Sequence, residues 1–259
     1  MTEMPAAQPQ LTLFDVVERV QGAAAWGDLL DAGTGVQSAR WISRLSTTRW
    51  TAVSADPDHL AETHRAVGAA MRCQDRLVLG TWKNSALLEG ETYDTVLADY
   101  LLGAIEGYAP YFQHDLFGRL RPIVRGRLYV TGIDPYVVGE PEGEAAAVVQ
   151  AIGRLRDACA LLAGVTPYRE YPAEWVVSRL EQARFRVVFA KRFPNIYGMS
   201  WVDRQLADTR TLIERILDTN LSHSLTERAA SLRQKASDVC NRNGGLAHGH
   251  DYVIAADAI

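Results

Sequence analysis

The chain has 259 residues, 47% of them apolar, which is enough for one large core with a helical cap, so we expect a single domain over residues 1–259. Its 27 Lys and Arg residues against 31 Asp and Glu residues give a net charge of -4, which supplies no broad cationic field for a nucleic-acid backbone and favours a small-molecule substrate. The three cysteines, Cys73, Cys159 and Cys240, form no disulfide or metal-ligand pattern, and no segment approaches the ~18 apolar residues of a membrane span, so we expect a cytoplasmic protein without a metal site or membrane association.

Residues 1–24 are predicted to form an N-terminal lead-in, with a short disordered stretch over 1–10 and an amphipathic helix over 13–21. Short apolar runs then alternate with helical stretches, a pattern typical of strands joined by crossover helices in a doubly wound α/β sheet. The predicted strands are 28–32, 50–55, 76–79, 95–98 and 127–132, and the predicted helices are 37–46, 58–72, 101–107 and 111–121.

The second half of the chain adds helical segments that a minimal α/β sheet does not need. An acidic turn, GEPEGE, precedes a predicted helix over 145–163, and further helices are predicted over 172–183, 201–217 and 224–240. The β-branched and aromatic run 185–190 and the closing run DYVIAADA predict a sixth and a seventh strand. We interpret regions 136–170 and 200–245 as helical insertions that form a cap or lid.

A glycine-rich turn follows the first predicted strand in the sequence DLLDAGTGVQSARWIS, residues 28–43. Glycines at such a junction let the backbone approach a ligand closely, with helix N–H groups pointing at it. Asp31 stands two residues ahead of Gly33. A carboxylate there repels a pyrophosphate and attracts the ammonium of an amino-acid moiety.

A second acid, Asp56, ends the second predicted strand, twenty-three positions after Gly33. This is about where a Rossmann-type site places an acid that accepts both ribose hydroxyls. Asp56 followed by Pro57 is also good chemistry for the start of a helix. Both interpretations are open from the sequence.

Through Asp31, Gly33, Gly35 and Asp56 the sequence resembles the class I S-adenosylmethionine-dependent methyltransferase superfamily, over roughly residues 25–135 and the terminal strand. The resemblance implies a seven-stranded, mostly parallel sheet whose antiparallel last strand lies between strands five and six. It also implies S-adenosylmethionine as the cofactor, with its amino group near Asp31 and its ribose on Asp56. The implied cofactor-binding residues are Asp31, Gly33, Thr34, Gly35, Asp56, Pro57, Thr81, Trp82, Asp99 and Tyr100.

Two parts of the sequence depart from the pattern of that superfamily. The third loop reads Leu-Gly-Thr-Trp where an acidic residue usually meets the adenine, so Trp82 is a candidate to stack on adenine or else a packed loop aromatic. The fourth motif, YDTVLADYLLGAIEGY, places Asp99 and Tyr100 nearest the methyl donor. The motif lacks the Pro-Pro of related nucleic-acid amino methyltransferases. This absence weakens the case that the methyl acceptor is the nitrogen of a nucleic-acid base.

Methyl transfer from a sulfonium is an in-line displacement, so a proton acceptor is needed only if the nucleophile starts protonated. The candidate catalytic residues are His114, Glu106 and Tyr108. The aromatic-rich segments 168–175 and 193–201 are candidates for substrate contact, or they pack the cap on the sheet. His248 and His250 flank a glycine and are interpreted as loop residues rather than metal ligands.

Three alternative functions remain open from the sequence. Gly33, Gly35 and Asp56 also fit the start of a dinucleotide-binding fingerprint, which predicts an NAD(P)-dependent oxidoreductase. That fingerprint, however, has Gly or Ala at the position that Ser38 occupies here. A non-catalytic S-adenosylmethionine-binding protein is possible on the same scaffold. A methyltransferase acting on protein or RNA would be expected to show a basic face or an added domain. The acceptor atom is not identified, and both a monomer and a homodimer are compatible with the sequence.

Overall fold

A computed structural model describes residues 11–259 of the chain; the predicted disordered stretch 1–10 lies outside the described residues. Seven strands form one sheet in the order β3-β2-β1-β4-β5-β7-β6. β7 is antiparallel to both of its neighbours, and the pairs among β1 to β5 are parallel. The predicted fold class is confirmed. The strands are β1 Asp28–Asp31, β2 Arg49–Ser54, β3 Arg76–Leu79, β4 Tyr93–Asp99, β5 Val124–Ile133, β6 Phe185–Tyr197 and β7 Leu246–Ala258.

Helices lie on both faces of the sheet and beyond its end. The α-helices of residues 11–259 are α1 Leu13–Gln21, α2 Val36–Ile42, α3 Pro57–Val67, α4 Leu101–Tyr108, α5 Gln113–Leu120, α6 Glu144–Leu162, α7 Ala173–Gln182, α8 Met199–Ile213 and α9 Thr219–Asn243. None of these helices is long and apolar enough to cross a membrane.

The sheet separates two hydrophobic layers. On one face Leu30 and Val96 pack with α4, α5 and α7, and on the other face Leu29 and Leu97 pack with α1 and α2. Both faces of the central strands are therefore buried, as is usual for parallel sheets. Because the chain moves from β1 outward to β3 and then returns to β4 on the other side of β1, a crevice opens at the carboxyl ends of β1 and β4.

The last two strands are longer than predicted. β6 continues from Ala190 to Tyr197 through Pro194, which an edge strand tolerates because one side of its backbone has no ladder to complete. β7 begins at Leu246, so His248 and His250 lie in a strand and their interpretation as loop residues was wrong. The pairing of β6 with β7 extends from Phe185 and Ala258 at one end to Tyr197 and Leu246 at the other, well beyond the predicted apolar runs.

The extended ends of β6 and β7 carry a helical cap. α6, α8 and α9 pack against one another around a third hydrophobic cluster that includes Ile152, Val202 and Val239. Leu246 of β7 is fully buried in the same cluster, and Tyr197 of β6 packs against it. The helices predicted as insertions therefore form a packed bundle at the end of the sheet.

Candidate functional site

A cavity lies at the crevice between β1 and β4. Its walls come from the loops after β1, β2 and β3 and from the inner side of α4. Tyr168, in the loop between α6 and α7, also lines it. Among the described residues that line the cavity, none is Lys, Arg, Asp or Glu. Within residues 11–259, the cavity walls are thus mostly apolar and carry no carboxylate, ammonium or guanidinium group.

The predicted glycine turn forms the wall next to β1. The Thr34 N–H donates to the Val53 carbonyl at 2.7 Å and ties the turn to β2. A Cβ on Gly33 would lie 2.7 Å from Cδ1 of Leu101, so Gly33 is required for the close approach of α4. A Cβ on Gly35 would meet nothing within 4 Å. Gly33 therefore allows Leu101 of α4 to pack against the turn, and Gly35 leaves open space beside the start of α2.

Asp31, the last residue of β1, is completely buried, and neither of its carboxyl oxygens has a hydrogen-bond partner among residues 11–259. Burial raises the pKa of Asp31 from 3.8 to about 7, and the nearby Asp99 adds to this rise. Ser38 and Thr34 lie beside the carboxyl group and offset the effect of burial only in part. A buried carboxylate without a partner is costly, so Asp31 destabilises the folded chain when it is ionised.

Asp56 stands at the end of β2 and caps α3. Its Oδ1 accepts from the N–H groups of Asp58 at 2.8 Å and of His59 at 3.1 Å. Its Oδ2 accepts from the Tyr108 hydroxyl at 2.9 Å. The His59 N–H and the other donors hold the pKa of Asp56 below its usual value. The predicted cap is confirmed, with Pro57 in the first turn of α3, and the charged carboxylate also bonds across the crevice to α4.

Tyr108, predicted as a catalytic residue, donates its proton to Asp56 in this arrangement. Burial and the bond to Asp56 raise the pKa of Tyr108, so its hydroxyl is a donor rather than a base. Its ring lines the cavity together with Tyr168. Tyr108 therefore lines the crevice, where its hydroxyl is the hydrogen-bond partner of Asp56.

Asp99 and Tyr100 lie where β4 meets α4. The Thr131 hydroxyl donates to Oδ1 of Asp99 at 2.5 Å, and burial raises the pKa of Asp99 to about 6. Tyr100 has a left-handed backbone with φ 47° and occupies the N-cap position of α4 without a capping hydrogen bond from its side chain, while its N–H donates to the Thr131 carbonyl at 3.2 Å. Such a backbone is strained for a bulky residue and persists only where neighbouring bonds fix it. This bend sets the start of α4 beside Gly33.

The third loop contributes Thr81 and Trp82 to the cavity wall. Only 4% of Trp82 is exposed, and its indole N–H donates to the Ala32 carbonyl at 2.5 Å. The Arg119 guanidinium lies 5.6 Å from the centroid of the Trp82 ring. The glycine turn and α5 therefore hold the Trp82 ring in place, and the ring also borders the cavity.

The other two candidate bases do not line the cavity. Glu106 is only 3% exposed, and its Oε2 accepts from the Gln113 amide at 2.6 Å within the helical layer. The His114 ring packs edge-on against Trp175, 5.5 Å between centroids, and borders a separate surface groove. The structure therefore brings Tyr108 to the crevice and leaves Glu106 and His114 outside it.

The loop 164–172 lies across α4. It overlaps the insertion 136–170, predicted as a cap or lid, and the aromatic segment 168–175, predicted to contact substrate or to pack the cap. Two glycines one helical turn apart make room for it. A Cβ on Gly107 would lie 3.3 Å from the Tyr168 ring, and a Cβ on Gly103 would lie 3.0 Å from Oε2 of Glu170. The glycines Gly103 and Gly107, one helical turn apart at i and i+4, are a further sequence signal for this contact. We call residues 164–172 the covering loop.

No family model and no curated protein matches this chain. Solved structures do match it over almost its full length. A candidate methyltransferase from Bacillus halodurans is 16% identical with a TM-score of 0.61, and the alignment covers 94% of this chain and 98% of the other. A mycolic acid cyclopropane synthase complexed with S-adenosylhomocysteine (SAH) is 11% identical with a TM-score of 0.56, over 93% and 81% of the two chains.

A [4+2]-cyclase is also similar, 14% identical with a TM-score of 0.56, over 95% of this chain and 79% of its own. At these identities the likeness establishes the fold. The printed descriptions of the three proteins include more than one reaction, so the chemistry of this chain must be argued from its own site.

Proposed function

We propose that this chain binds S-adenosylmethionine and transfers its methyl group to a small-molecule acceptor. The observation that carries the proposal is the buried, unpartnered carboxyl group of Asp31 at the carboxyl end of β1. It lies behind a cavity lined in part by Tyr108, whose hydroxyl donates to the ionised Asp56. A ligand with an ammonium at one end and a ribose at the other can bind one carboxylate through each end.

The residues present fit this cofactor. Asp31 would hold the ammonium, and the ammonium would supply the partner that the buried carboxyl lacks. Asp56 would accept from the ribose hydroxyls, and the open space beside Gly35 leaves room for the backbone to approach the ligand. Thr81 and Trp82 would border the adenine. When bound, the cofactor supplies an electrophilic methyl group on a sulfonium.

The charges around the crevice argue against the alternative NAD(P) cofactor. A pyrophosphate needs N–H groups and cations, but no Lys or Arg is present among the described residues that line the cavity. Asp99 lies close enough to Asp31 to raise the pKa of Asp31, and both carboxylates would repel a pyrophosphate. Ser38 is buried at the start of α2, and its hydroxyl donates to the Gly35 carbonyl at 3.1 Å. The similar cyclopropane synthase was crystallised with SAH, which supports the same choice.

The protein's part in the reaction is mainly to hold two molecules in line. Displacement at an activated carbon gains most from positioning and from exclusion of water. Asp99 and Tyr100 at the end of β4 would border the transferred group, and the covering loop with Tyr168 would shield it. We assign no role as a base to Glu106 or His114, because neither lines the cavity. We also propose that the bundle of α6, α8 and α9 is a cap on one domain rather than a separate unit.

Calorimetric titration of the full chain with SAH and, separately, with NADH tests the cofactor. Saturable binding of SAH alone is expected. Asp31→Asn and Asp56→Asn should each weaken SAH binding at least about tenfold, the effect of losing one charge-assisted bond. Asp58→Asn, which removes an exposed carboxylate from the same helix start, is the matched control.

Incubation with methyl-labelled S-adenosylmethionine and a pool of small metabolites tests the reaction. Label in a small molecule is expected. Tight SAH binding with no transfer to any acceptor would favour the second candidate, a binding protein or an enzyme of other chemistry, for which the similar cyclase is the reason. Binding of NADH in place of SAH would refute the proposal outright.

A further inference from the structure

Asp56, the acid that we propose for the ribose, already has a protein partner at each of its carboxyl oxygens. Its Oδ1 accepts from the N–H groups of Asp58 and His59. Its Oδ2 accepts from the Tyr108 hydroxyl at 2.9 Å. A carboxylate offers about four lone-pair sites on its two oxygens. The three bonds therefore leave Asp56 one further site, and that site is on Oδ2.

The partners of the two oxygens differ in how easily they can be exchanged. The two N–H groups belong to the first turn of α3, and their bonds to Asp56 are the cap of that helix. Tyr108 is the last residue of α4, and its side chain is exposed in part. Its ring can turn away about its own side-chain torsions while the helix stays in place. Oδ2 is therefore the oxygen whose partner can leave.

Tyr108 reaches Asp56 from the opposite side of the crevice. Its ring lines the cavity together with Tyr168 of the covering loop. The Tyr168 ring lies beside the same turn of α4, because a Cβ on Gly107 would be 3.3 Å from it. The bond between Tyr108 and Asp56 thus joins α4 to the end of β2 across the part of the cavity that we propose for the ribose.

The same bond competes with a ribose. A ribose presents two neighbouring hydroxyl groups, and each needs an acceptor site when Asp56 binds both. While Tyr108 is bound, Asp56 has one such site. One ribose hydroxyl can then be accepted, and the second must wait until Tyr108 leaves Oδ2.

The charge states of the two groups favour their contact in the free chain. The His59 N–H and the other donors hold the pKa of Asp56 below its usual value. Burial and the bond to Asp56 raise the pKa of Tyr108. At neutral pH a protonated phenol therefore faces a carboxylate, which gives a charge-assisted hydrogen bond.

We propose that Tyr108 is a latch on the cofactor cavity, which competes with the ribose hydroxyls for Oδ2 of Asp56 and must open before the ribose is fully bound. The inference rests on the proposed function. The latch acts on the free chain, so it lowers the apparent affinity in proportion to the fraction of molecules in which it is open. Because a latched molecule must open first, the effect falls on association rather than on dissociation.

Binding kinetics of SAH test this property of the latch. Surface plasmon resonance with the immobilised full chain gives both rate constants. Tyr108→Phe keeps the ring and removes the competing hydroxyl, so the association rate should rise about threefold to tenfold, the effect of one hydrogen bond. The dissociation rate should stay within about twofold of the wild type. Tyr111→Phe, which alters an exposed tyrosine just beyond α4, is the matched control and should change neither rate.

A pair of nucleosides tests whether the competition is for the ribose hydroxyls. The full chain is titrated in a calorimeter with adenosine and with dideoxyadenosine, which lacks both hydroxyls. The preference for adenosine should grow about threefold to tenfold in Tyr108→Phe, because only adenosine gains a second site on Asp56. Asp56→Asn should lose most of this preference, and adding Tyr108→Phe to it should restore none, as expected of residues that act through one bond.

The outcomes separate the latch from the proposed function. If SAH binds but Tyr108→Phe leaves both the association rate and the nucleoside preference unchanged, the latch is overturned and the cofactor is upheld. A smaller preference for adenosine in Tyr108→Phe, or faster dissociation of SAH, would show that Tyr108 holds the ribose and would also overturn the latch. A larger preference in a chain that does not bind SAH would uphold the latch and refute the proposed cofactor.

Discussion

Replacing Asp31 with Asn should stabilise the ligand-free protein while it weakens cofactor binding. The carboxyl group of Asp31 is fully buried and unpartnered, so ionising it in the folded chain is unfavourable. Asn has nearly the same shape and carries no charge. The substitution thus removes a destabilising group that we expect to be retained for the ligand, a trade-off that is common at functional sites.

The size and sign of the effect follow from the pKa of Asp31. Burial raises this pKa from 3.8 to about 7 in the folded chain, which corresponds to about 4 kcal/mol as an upper bound. Between these two pH values the unfolded chain has lost the proton and the folded chain keeps it. The stability of the wild type therefore falls as the pH rises through this window, and the loss is complete above about pH 7.

Denaturant unfolding at pH 5 and pH 8 measures the effect. Between these pH values the wild type should lose up to about 3 kcal/mol of stability more than Asp31→Asn does. Asp58→Asn, which removes an exposed charge on α3, controls for net charge and should follow the wild type. Parallel pH profiles for the wild type and Asp31→Asn would show that Asp31 carries no buried charge, and the argument for its role would fail.

Four further substitutions give distinct outcomes. Tyr108→Phe frees Oδ2 of Asp56 and should raise SAH affinity by about threefold to tenfold in calorimetry, since one competing hydrogen bond is removed; weaker binding would show that Tyr108 holds the cofactor. Asp56→Ala loses the cap of α3 and should lower the unfolding free energy by about 1 kcal/mol, whereas Asp56→Asn keeps the cap and should not. Trp82→Phe removes the donor to the Ala32 carbonyl and should cost about 1–3 kcal/mol in the same assay; an unchanged midpoint would contradict the rigid placement of this ring. Gly103→Ala puts a methyl group 3.0 Å from Oε2 of Glu170 and should displace the covering loop, so limited proteolysis within residues 164–172 should be faster than in the wild type.

The sheet and the glycine turn were predictable because local signals specify them. Alternating apolar runs and helices predicted the strands, and Asp56-Pro57 predicted the start of α3, which the hydrogen bonds of Asp56 confirm. The ends of β6 and β7 were not predictable. Their pairing runs past the apolar runs to Tyr197 and Leu246, and it is favoured by the cap that packs on them rather than by local propensity.

The cofactor side of the site was easier to predict than the acceptor side for a physical reason. Asp31 and Gly35 lie in one short segment, so their spacing carries information. The covering loop is distant in sequence from α4 and reaches it only in the folded chain, where the Tyr168 ring lies over Gly107. Glu106 and His114 were chosen for their chemistry on neighbouring helices, but helix orientation turns Glu106 to Gln113 and His114 to Trp175.

The central claim is that the ammonium of the bound cofactor completes the carboxyl group of Asp31, and proton release on binding measures this most directly. Titration of the wild type with SAH in buffers of different ionisation enthalpy gives the number of protons released. Because the pKa of Asp31 is about 7 in the free protein, about one proton per SAH should leave at pH 6 and close to none at pH 8. Asp31→Asn should lose this difference between pH 6 and pH 8. Equal proton release by the wild type and Asp31→Asn at pH 6 would contradict the account.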